Sequence, residues 1–133
     1  MGIIVRLPLA SGILSGKLTA DHAFADTDHR NYNKDGAFFS VGETFSGIPF
    51  ETAIGFADRL KPLVPEGMTM AQMAMRWCLD HPAISSVITG ASRANQALEN
   101  AAVSDLPALP LELHDVLSTL YFDEVKPTVR GAM

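Results

Sequence analysis

The residues best suited to chemistry follow the second apolar run of the chain. Gly90 lets the backbone approach a ligand closely, while Ser92 and Arg93 offer a hydroxyl and a guanidinium that suit a phosphate. Three polar residues then recur at spacings of three and four, on one helix face that can hydrogen-bond the edge of a nucleotide base: Gln96, Glu99 and Asn100. An ordinary strand-to-helix turn with a solvated face fits the same residues, and spacing alone favours that simpler interpretation.

A second candidate is the small-residue loop after the first apolar run, Leu9 to Lys17. Its small side chains can let backbone amides surround a diphosphate. It is not a Walker P-loop, because Gly12 and Gly16 are four apart, one short of that spacing, and a leucine follows Lys17. It also lacks the G-x-G-x-x-G pattern. Taken alone the loop is a weak signal, and a plain turn is the simpler interpretation.

Other residues form no recognisable catalytic or metal-binding pattern. The histidines stand at positions 22, 29, 81 and 114, and none pairs with another His or Cys at ligand spacing, so no zinc site is predicted. Two of them lie among Asp21, Asp26 and Asp28, where a solvated loop explains the cluster more simply than a metal. Neither a G-x-S-x-G elbow nor a nucleophile paired with a base is found. The methionines around Trp77 are expected to fill a core.

Composition limits the classes of partner. The 133 residues include 15 acidic and 10 basic side chains, and this net charge of −5 disfavours nucleic acid and anionic membranes. A hydrophobic content of 47% with 19% charged residues predicts a packed globular chain, and no stretch reaches the about 18 apolar residues of a membrane span. Arg6 and Pro8 interrupt the N-terminal apolar run, so a signal peptide is not expected. One cysteine, Cys78, excludes an internal disulfide and predicts a cytoplasmic location.

The elements that must position these residues alternate between strands and helices. Two β-branched apolar runs, at about 2–7 and 84–89, predict buried strands. Apolar periodicity predicts helices over about 50–63, 69–80 and 94–103, and Thr69 with Gln72 fits a capping box. Pro110 is expected at the first position of a last helix whose apolar residues face a core: Leu113, Val116, Leu117 and Leu120. This order predicts an α/β fold with parallel strands.

Two segments lack a periodic pattern. Leu18 to Pro49 is polar and irregular, as functional or mobile loops are, and Phe38 and Phe39 are expected to attach its far end to something apolar. The tail from Asp123 to Met133 shows little that would hold it. Because two parallel strands alone leave edges unpaired on both sides, the chain is predicted to be incomplete as a domain.

Three segments together resemble the C-terminal part of the aldo-keto reductases. They are the loop PLASGILSGK from Pro8 to Lys17, the helix AMRWCL from Ala74 to Leu79, and the turn VITGAS from Val87 to Ser92, continued by Gln96, Glu99 and Asn100. The segments occur in the family's order, and the resemblance covers nearly the whole chain.

The resemblance implies that residues 1–133 are the C-terminal portion of a (β/α)8 TIM barrel, with two parallel strands and about four helices, and that the cofactor is NADPH. In this family the loop after the seventh strand holds the pyrophosphate, which carries over to Leu9, Ser11, Gly12 and Lys17. The segment after the eighth strand holds the adenosine 2′-phosphate and adenine, which carries over to Gly90, Ser92, Arg93, Gln96, Glu99 and Asn100. Many relatives have arginine where Ser92 stands, and here Arg93 follows one position later.

The resemblance also implies what these residues lack. Aldo-keto reductases reduce carbonyls with a catalytic Asp, Tyr, Lys and His from the first half of the barrel, and neither Tyr32 nor Tyr121 occupies the motif position. We therefore expect an oxidoreductase family member, represented by its cofactor-binding part and inactive by itself. The alternatives are a non-enzymatic nucleotide-binding or oligomerising remnant and, well behind, an unrelated α/β ligand-binding domain.

The expected partners follow from this interpretation. In the family the substrate is a small carbonyl compound, whereas neither nucleic acid nor a membrane is expected to bind. The unpaired strand edges predict association with copies of the same chain or with a missing N-terminal part.

Overall fold

The computed structural model describes residues 1–131, which form a small α/β arrangement. Its sheet consists of two strands, β1 (Ile3–Arg6) and β2 (Ile84–Ile88). Three helices lie between the strands and two follow them: α1 (His29–Tyr32), α2 (Phe50–Leu60), α3 (Met70–Leu79), α4 (Ala94–Ala102) and α5 (Leu111–Leu120). Within residues 1–131 no helix is both long and apolar enough to cross a membrane.

The two strands pair in parallel, as predicted, with Arg6 opposite Ile88 and one irregularity between Ile3 and Ile4. A pair of strands does not close a barrel. The prediction that both strands are buried is wrong, since Ile4 is 59% exposed and Ile88 57%. The physical reason is that the described helices build their core beside the sheet and leave much of its surface uncovered.

The core lies between the loop after β1, the residues just before α2, and helices α2 and α3. Its buried members are Ile13, Phe45, Ile48, Ala53, Ile54, Ala57, Met70, Met73 and Leu109. The prediction that the methionines fill a core is confirmed at Met70, Met73 and Met75, all of which are buried. Flexible thioether side chains fill such irregular space well.

Helix α3 begins as its sequence predicts. The Thr69 hydroxyl accepts a hydrogen bond from the Gln72 amide at 3.2 Å, and Gln72 Oε1 accepts one from the Thr69 amide at 2.8 Å. The capping box is therefore complete, and two backbone donors of the first turn are satisfied. At the other end His81 Nδ1 lies 2.8 Å from the Trp77 carbonyl, and Pro82 follows.

Helix α5 differs from its prediction in two details. Pro110 caps the helix with an extended backbone, φ −56° and ψ 143°, so it precedes the first helical position instead of occupying it. Val116 is exposed, whereas Leu113, Leu117 and Leu120 are partly buried. The apolar face of α5 is therefore narrower than its sequence suggests.

The segment from Leu18 to Pro49 is more ordered than its sequence suggests. It contains α1 and two short 3₁₀ turns, Val41–Glu43 and Phe45–Gly47. Asn33 and Thr44 are fully buried, and Asn33 Nδ2 donates to Thr44 Oγ1 at 3.2 Å. This segment is ordered by paired buried polar side chains. It therefore lacks the apolar periodicity from which its structure could have been predicted.

The apolar group that Phe38 and Phe39 contact is the ring of Tyr32 in the same segment, and not the core. Asn33 Oδ1 accepts hydrogen bonds from both of their amides at 3.0 Å. Their rings contact Tyr32 instead, and Phe38 is 74% exposed. The exposed aromatic cluster of Tyr32, Phe38 and Phe39 is therefore held in place by its backbone.

The tail is also better held than its sequence suggests, up to residue 131. It continues α5 through the helical turns Tyr121–Val125 and Lys126–Thr128. Glu124 forms an ion pair with Arg59 of α2, and Arg130 bonds the Gly47 carbonyl. These partners are more than 60 positions away in the chain. Ala132 and Met133, the rest of the predicted loose tail, lie outside the described residues.

Candidate functional site

The two candidate loops leave the sheet at the same edge. Because β1 and β2 are parallel and end opposite each other, the loop Leu7 to Lys17 and the turn Thr89 to Arg93 both begin at their carboxyl ends. Ligands of open α/β sheets bind at this edge. The topology therefore brings together the two segments that the sequence singles out.

The first loop is a series of tight turns. The amides of Ala10, Gly12, Leu14 and Gly16 donate to carbonyls within the loop, those of Leu7, Leu9 and Ile13. Several of its residues have a left-handed backbone: φ is 52° at Leu7, 46° at Ala10, 57° at Ser11 and 99° at Gly12. Such angles are unfavourable for residues other than glycine and persist only where neighbouring contacts hold them.

Segment 43–45 provides such contacts at Ser11. The Ser11 hydroxyl donates to the Glu43 carbonyl at 3.4 Å and accepts from the Phe45 amide at 3.2 Å. The Ser11 carbonyl accepts from Arg30 Nη1 at 3.4 Å. The side chain of Ser11 is thus directed into the protein.

Arg30 is itself fixed by a fork-shaped ion pair. Its Nη2 lies 2.6 Å from Asp28 Oδ2 and its Nε 3.0 Å from Oδ1. These hydrogen bonds lower the pKa of Asp28 to about 2, against the opposing effect of burial. The guanidinium also lies over the Phe24 ring, 4.5 Å from its centroid. Asp28 and Arg30 therefore form a rigid support beside the first loop.

The second turn folds back on the helix that follows it. Gln96 Oε1 accepts hydrogen bonds from the Ser92 amide at 2.9 Å and from its hydroxyl at 3.0 Å. Asn100 Nδ2 donates to the Gly90 carbonyl at 3.4 Å. Part of the polar face of α4 thus shapes its own turn.

Gly90 is not required by the fold. Its φ is not positive, and a Cβ placed there would meet nothing within 4 Å. Open space therefore surrounds the backbone at this position, at the edge of the sheet where a ligand would lie.

Lys17 from the first loop and Arg93 from the second turn line one cavity of about 390 Å³. The cavity also borders the first turns of α4, with this set of lining residues: Ala94, Asn95, Gln96 and Glu99. Arg93 occupies the N-cap of α4, a helix of nine residues. Two cations beside a helix N-terminus, where partial positive charge accumulates, create a place for an anion.

The ten sequence-predicted site residues therefore fall into three groups. Four of them share the cavity: Lys17, Arg93, Gln96 and Glu99. Three shape the second turn: Gly90, Ser92 and Asn100, the last of which also lines a neighbouring cavity of about 360 Å³ between β2 and α4. Three belong to the first loop and are not cavity residues here: Leu9, Ser11 and Gly12.

A second polar cluster surrounds Asp80, and the sequence did not single it out. Its carboxylate, 7% exposed, accepts from Arg76 Nε at 2.9 Å and from the Leu109 amide at 2.9 Å, and lies 3.0 Å from His114 Nε2. Burial by itself would raise the pKa of Asp80, but these hydrogen bonds and the charge of Arg76 outweigh it and hold the pKa below its ordinary value.

The Asp80 cluster joins α3 to α5 and lies before β2, at the edge opposite the two loops. Its position indicates a structural role, because ligands of parallel α/β sheets bind at the opposite, carboxyl edge. The i, i+4 spacing of Arg76 and Asp80 was the signal available in the sequence.

The remaining chemically suggestive residues are engaged in packing. Within residues 1–131 no group of three or more His, Cys, Asp or Glu side chains gathers as metal ligands would. His22 packs edge-on against Phe24, with ring centroids 4.7 Å apart. Burial raises the pKa of the Cys78 thiol, which disfavours the reactive thiolate.

Parallel strands linked through helices, with a cavity lined by Lys17, Arg93 and Glu99 at their carboxyl ends, define the chain as an α/β protein. Among known protein families, the model described as "Aldo/keto reductase family" matches residues 1–118 of this chain. The chain belongs to the aldo/keto reductase family.

Its relatives include both channel subunits and reductases. A "Probable voltage-gated potassium channel subunit beta" of Oryza sativa subsp. japonica is 33% identical, over 96% of this chain and 38% of the relative. The protein of the same description from Arabidopsis thaliana is 32% identical, over 98% and 36%. The "L-glyceraldehyde 3-phosphate reductase" of Escherichia coli (strain K12) is 32% identical, over 87% and 32%. The chain thus spans about a third of the length of the curated relatives that it matches.

Proposed function

We propose that residues 1–133 form the cofactor-binding C-terminal part of an NADP-dependent aldo-keto reductase, an oxidoreductase whose (β/α)8 barrel reduces a small carbonyl compound to an alcohol. The observation that carries the proposal is the shared cavity of Lys17 and Arg93 at the carboxyl ends of β1 and β2. Family membership supports the oxidoreductase class and the barrel.

Arg93 suits the adenosine 2′-phosphate of NADPH, and Lys17 suits the pyrophosphate. A guanidinium and an ammonium bind phosphate strongly, and the N-terminus of α4 adds its partial positive charge. Glu99 lines the same cavity and offers an acceptor for a ribose or adenine donor, and Gln96 offers an amide. NADPH is favoured over NADH because only NADPH brings a 2′-phosphate for the Arg93 guanidinium, whereas the pyrophosphate assigned to Lys17 is common to both cofactors.

The remaining predicted residues fit supporting roles around the cofactor. Leu9, Ser11 and Gly12 are assigned to the pyrophosphate on the family pattern of the first loop, since the Ser11 side chain is directed inward and the Gly12 amide is bonded to the Leu9 carbonyl. Gly90 leaves open space for the ligand, and Ser92 and Asn100 hold the turn in shape.

Bound NADPH supplies hydride, and a reductase also needs a proton donor for the nascent alcohol. In the proposed protein that donor belongs to segments outside residues 1–133, so this chain binds the cofactor and does not turn over substrate by itself. A cytoplasmic location is proposed on the single cysteine.

The test measures NADPH and NADH affinity by fluorescence for the full chain and for Lys17→Ala and Arg93→Ala. Arg93→Ala is expected to weaken NADPH binding by about tenfold and to leave NADH binding nearly unchanged, because it removes a charge-assisted contact to the 2′-phosphate. Lys17→Ala is expected to weaken the binding of both cofactors alike, because both carry the pyrophosphate to which Lys17 is assigned. Lys61→Ala, which removes an exposed cation paired with Asp58, is the control and is expected to have no effect.

Equal losses for NADPH and NADH in Arg93→Ala would contradict the 2′-phosphate assignment, and absence of NADPH binding by the unmodified chain would contradict the proposed function. An aldehyde-reduction assay on the same samples tests whether residues 1–133 bind the cofactor without turning over substrate. Binding without turnover is expected; turnover by residues 1–133 would show that they contain their own proton donor.

A further inference from the structure

Arg130 holds the segment between α1 and α2 at two places. Its backbone amide and its Nε both donate to the Gly47 carbonyl, at 3.1 and 3.0 Å. Its Nη1 donates to Asp35 Oδ1 at 2.8 Å, and its Nη2 donates to the Lys34 carbonyl at 2.9 Å. One side chain thus uses three separate donors in a planar arrangement that a lysine ammonium cannot reproduce.

The contact at Gly47 is unusually close. Gly47 has a φ of 77°, and a Cβ at this position would overlap the Arg130 carbonyl oxygen. Only glycine permits both the backbone angle and this approach. The close packing of the tail on this turn therefore depends on glycine at position 47 and on arginine at position 130.

The 3₁₀ turn Phe45–Gly47 connects Arg130 to the first loop. Its last residue accepts the two bonds from Arg130, and its first residue donates its amide to Ser11 Oγ at 3.2 Å. Phe45 and Ser46 have φ of 50° and 54°, a strained conformation for residues other than glycine. Such a turn needs anchors at both ends, and Arg130 and Ser11 are those anchors.

We propose that Arg130 is a positioning residue for the cofactor loop: it fixes the turn 45–47 and, through the Phe45 amide, the conformation of Ser11 and Gly12. The C-terminal tail thereby regulates NADPH affinity, because a loop held in its binding conformation loses less entropy when the ligand binds. The effect on NADPH rests on the proposed function, whereas the effect on the loop rests on the contacts alone.

The first test is amide hydrogen exchange of the full chain without cofactor. The Gly12 amide is bonded to the Leu9 carbonyl and the Phe45 amide to Ser11. In Arg130→Ala both amides are expected to exchange about tenfold faster, with the Met73 amide inside α3 unchanged. Arg130→Lys keeps the charge without the fork and is expected to restore only part of the protection.

The second test measures the dissociation constant for NADPH on the same variants, and a loss of about tenfold is expected for Arg130→Ala. Arg59→Ala is the matched control: it breaks the other ion pair of the tail, with Glu124, and is expected to change neither measurement. In Arg130→Lys we expect the NADPH affinity to recover in part, to the same extent as the protection from exchange.

Unchanged exchange at Gly12 and Phe45, equal acceleration throughout α3, or the same behaviour in Arg59→Ala would each overturn the inference. So would faster exchange combined with unchanged NADPH affinity. Faster exchange in a chain whose unmodified form does not bind NADPH would support the positioning contact and contradict the proposed function, so the two failures are distinguishable.

Discussion

At the scale of single residues, Asp28 shows how a local ion pair changes the chemistry of a side chain. It caps α1, accepts the Arg30 amide at 2.9 Å and pairs with the Arg30 guanidinium, which lowers its pKa to about 2. Arg30 in turn bonds the Ser11 carbonyl. The charge of Asp28 therefore supports the loop that we assign to the cofactor.

Asp28→Asn keeps a side chain that can cap α1 and removes the charge. Because the folded pKa lies below the ordinary value of 3.8, the charge stabilises the native state above about pH 4, and this stability is lost as the pH falls through about 2. Urea unfolding at pH 7 is expected to show a loss of about 1 kcal/mol in the variant. The difference between the two proteins is expected to vanish near pH 2.

Asp115→Asn, at an exposed position of α5, is the control and is expected to leave the pH dependence unchanged. A difference between Asp28→Asn and the unmodified chain that stays constant from pH 7 to pH 2 would mean that the Asp28 charge does not support the fold.

At the scale of elements, α3 is the helix whose sequence and structure agree most fully. Its capping box, its apolar face and its end before Pro82 are all read from neighbouring residues. Segment 18–49 is the opposite case. Its order depends on Asn33 meeting Thr44, on Phe45 meeting Ser11 and on Arg130 meeting Gly47, and none of these pairs has a helical or strand spacing.

Thr69→Ala is expected to destabilise the chain by about 1 kcal/mol, because the amide of Gln72 loses its acceptor at the start of α3. Urea unfolding followed by circular dichroism measures the change. Thr69→Ser retains the hydroxyl and is expected to remain within a few tenths of a kcal/mol of the unmodified protein. Equal destabilisation by serine and alanine would assign the effect to the lost methyl group.

At the scale of the whole molecule, the exposed sheet is the feature that most needs a partner. Ile3, Ile4 and Ile88 are exposed on two strands that have unpaired edges, and Leu98 and Leu111 expose further apolar area on α4 and α5. Together with the short span relative to the curated relatives, this surface supports association with the rest of a barrel or with a second copy.

We expect residues 1–133 by themselves to self-associate, and sedimentation velocity over a wide range of concentrations measures this. Ile4→Lys is expected to weaken association strongly, because a buried charge at a paired strand edge is unfavourable. Leu98→Lys, on the exposed surface of α4, serves as the comparison and is expected to have a smaller effect. A well-folded monomer at the highest concentration would contradict the expectation.

The sequence by itself determined the parts of this protein that depend on neighbouring residues. Both strands, the capping box at Thr69 and the helix after Arg93 follow from apolar periods and from spacings of three and four. The three motifs at Pro8, Ala74 and Val87 also determined the family, which the match over residues 1–118 confirms. The cofactor and its contacts remain predictions.

Only the tertiary structure decided which distant residues meet. Lys17 and Arg93 stand 76 positions apart in the chain and line one cavity, and Arg130 reaches Gly47 across 83 positions. Such contacts depend on the register of the parallel strands and on which buried polar groups pair with each other. The spacing of apolar residues along the sequence determines neither the register nor the pairing. The strands show the same limit, because their apolar sequences predict burial whereas the structure leaves Ile3, Ile4 and Ile88 exposed.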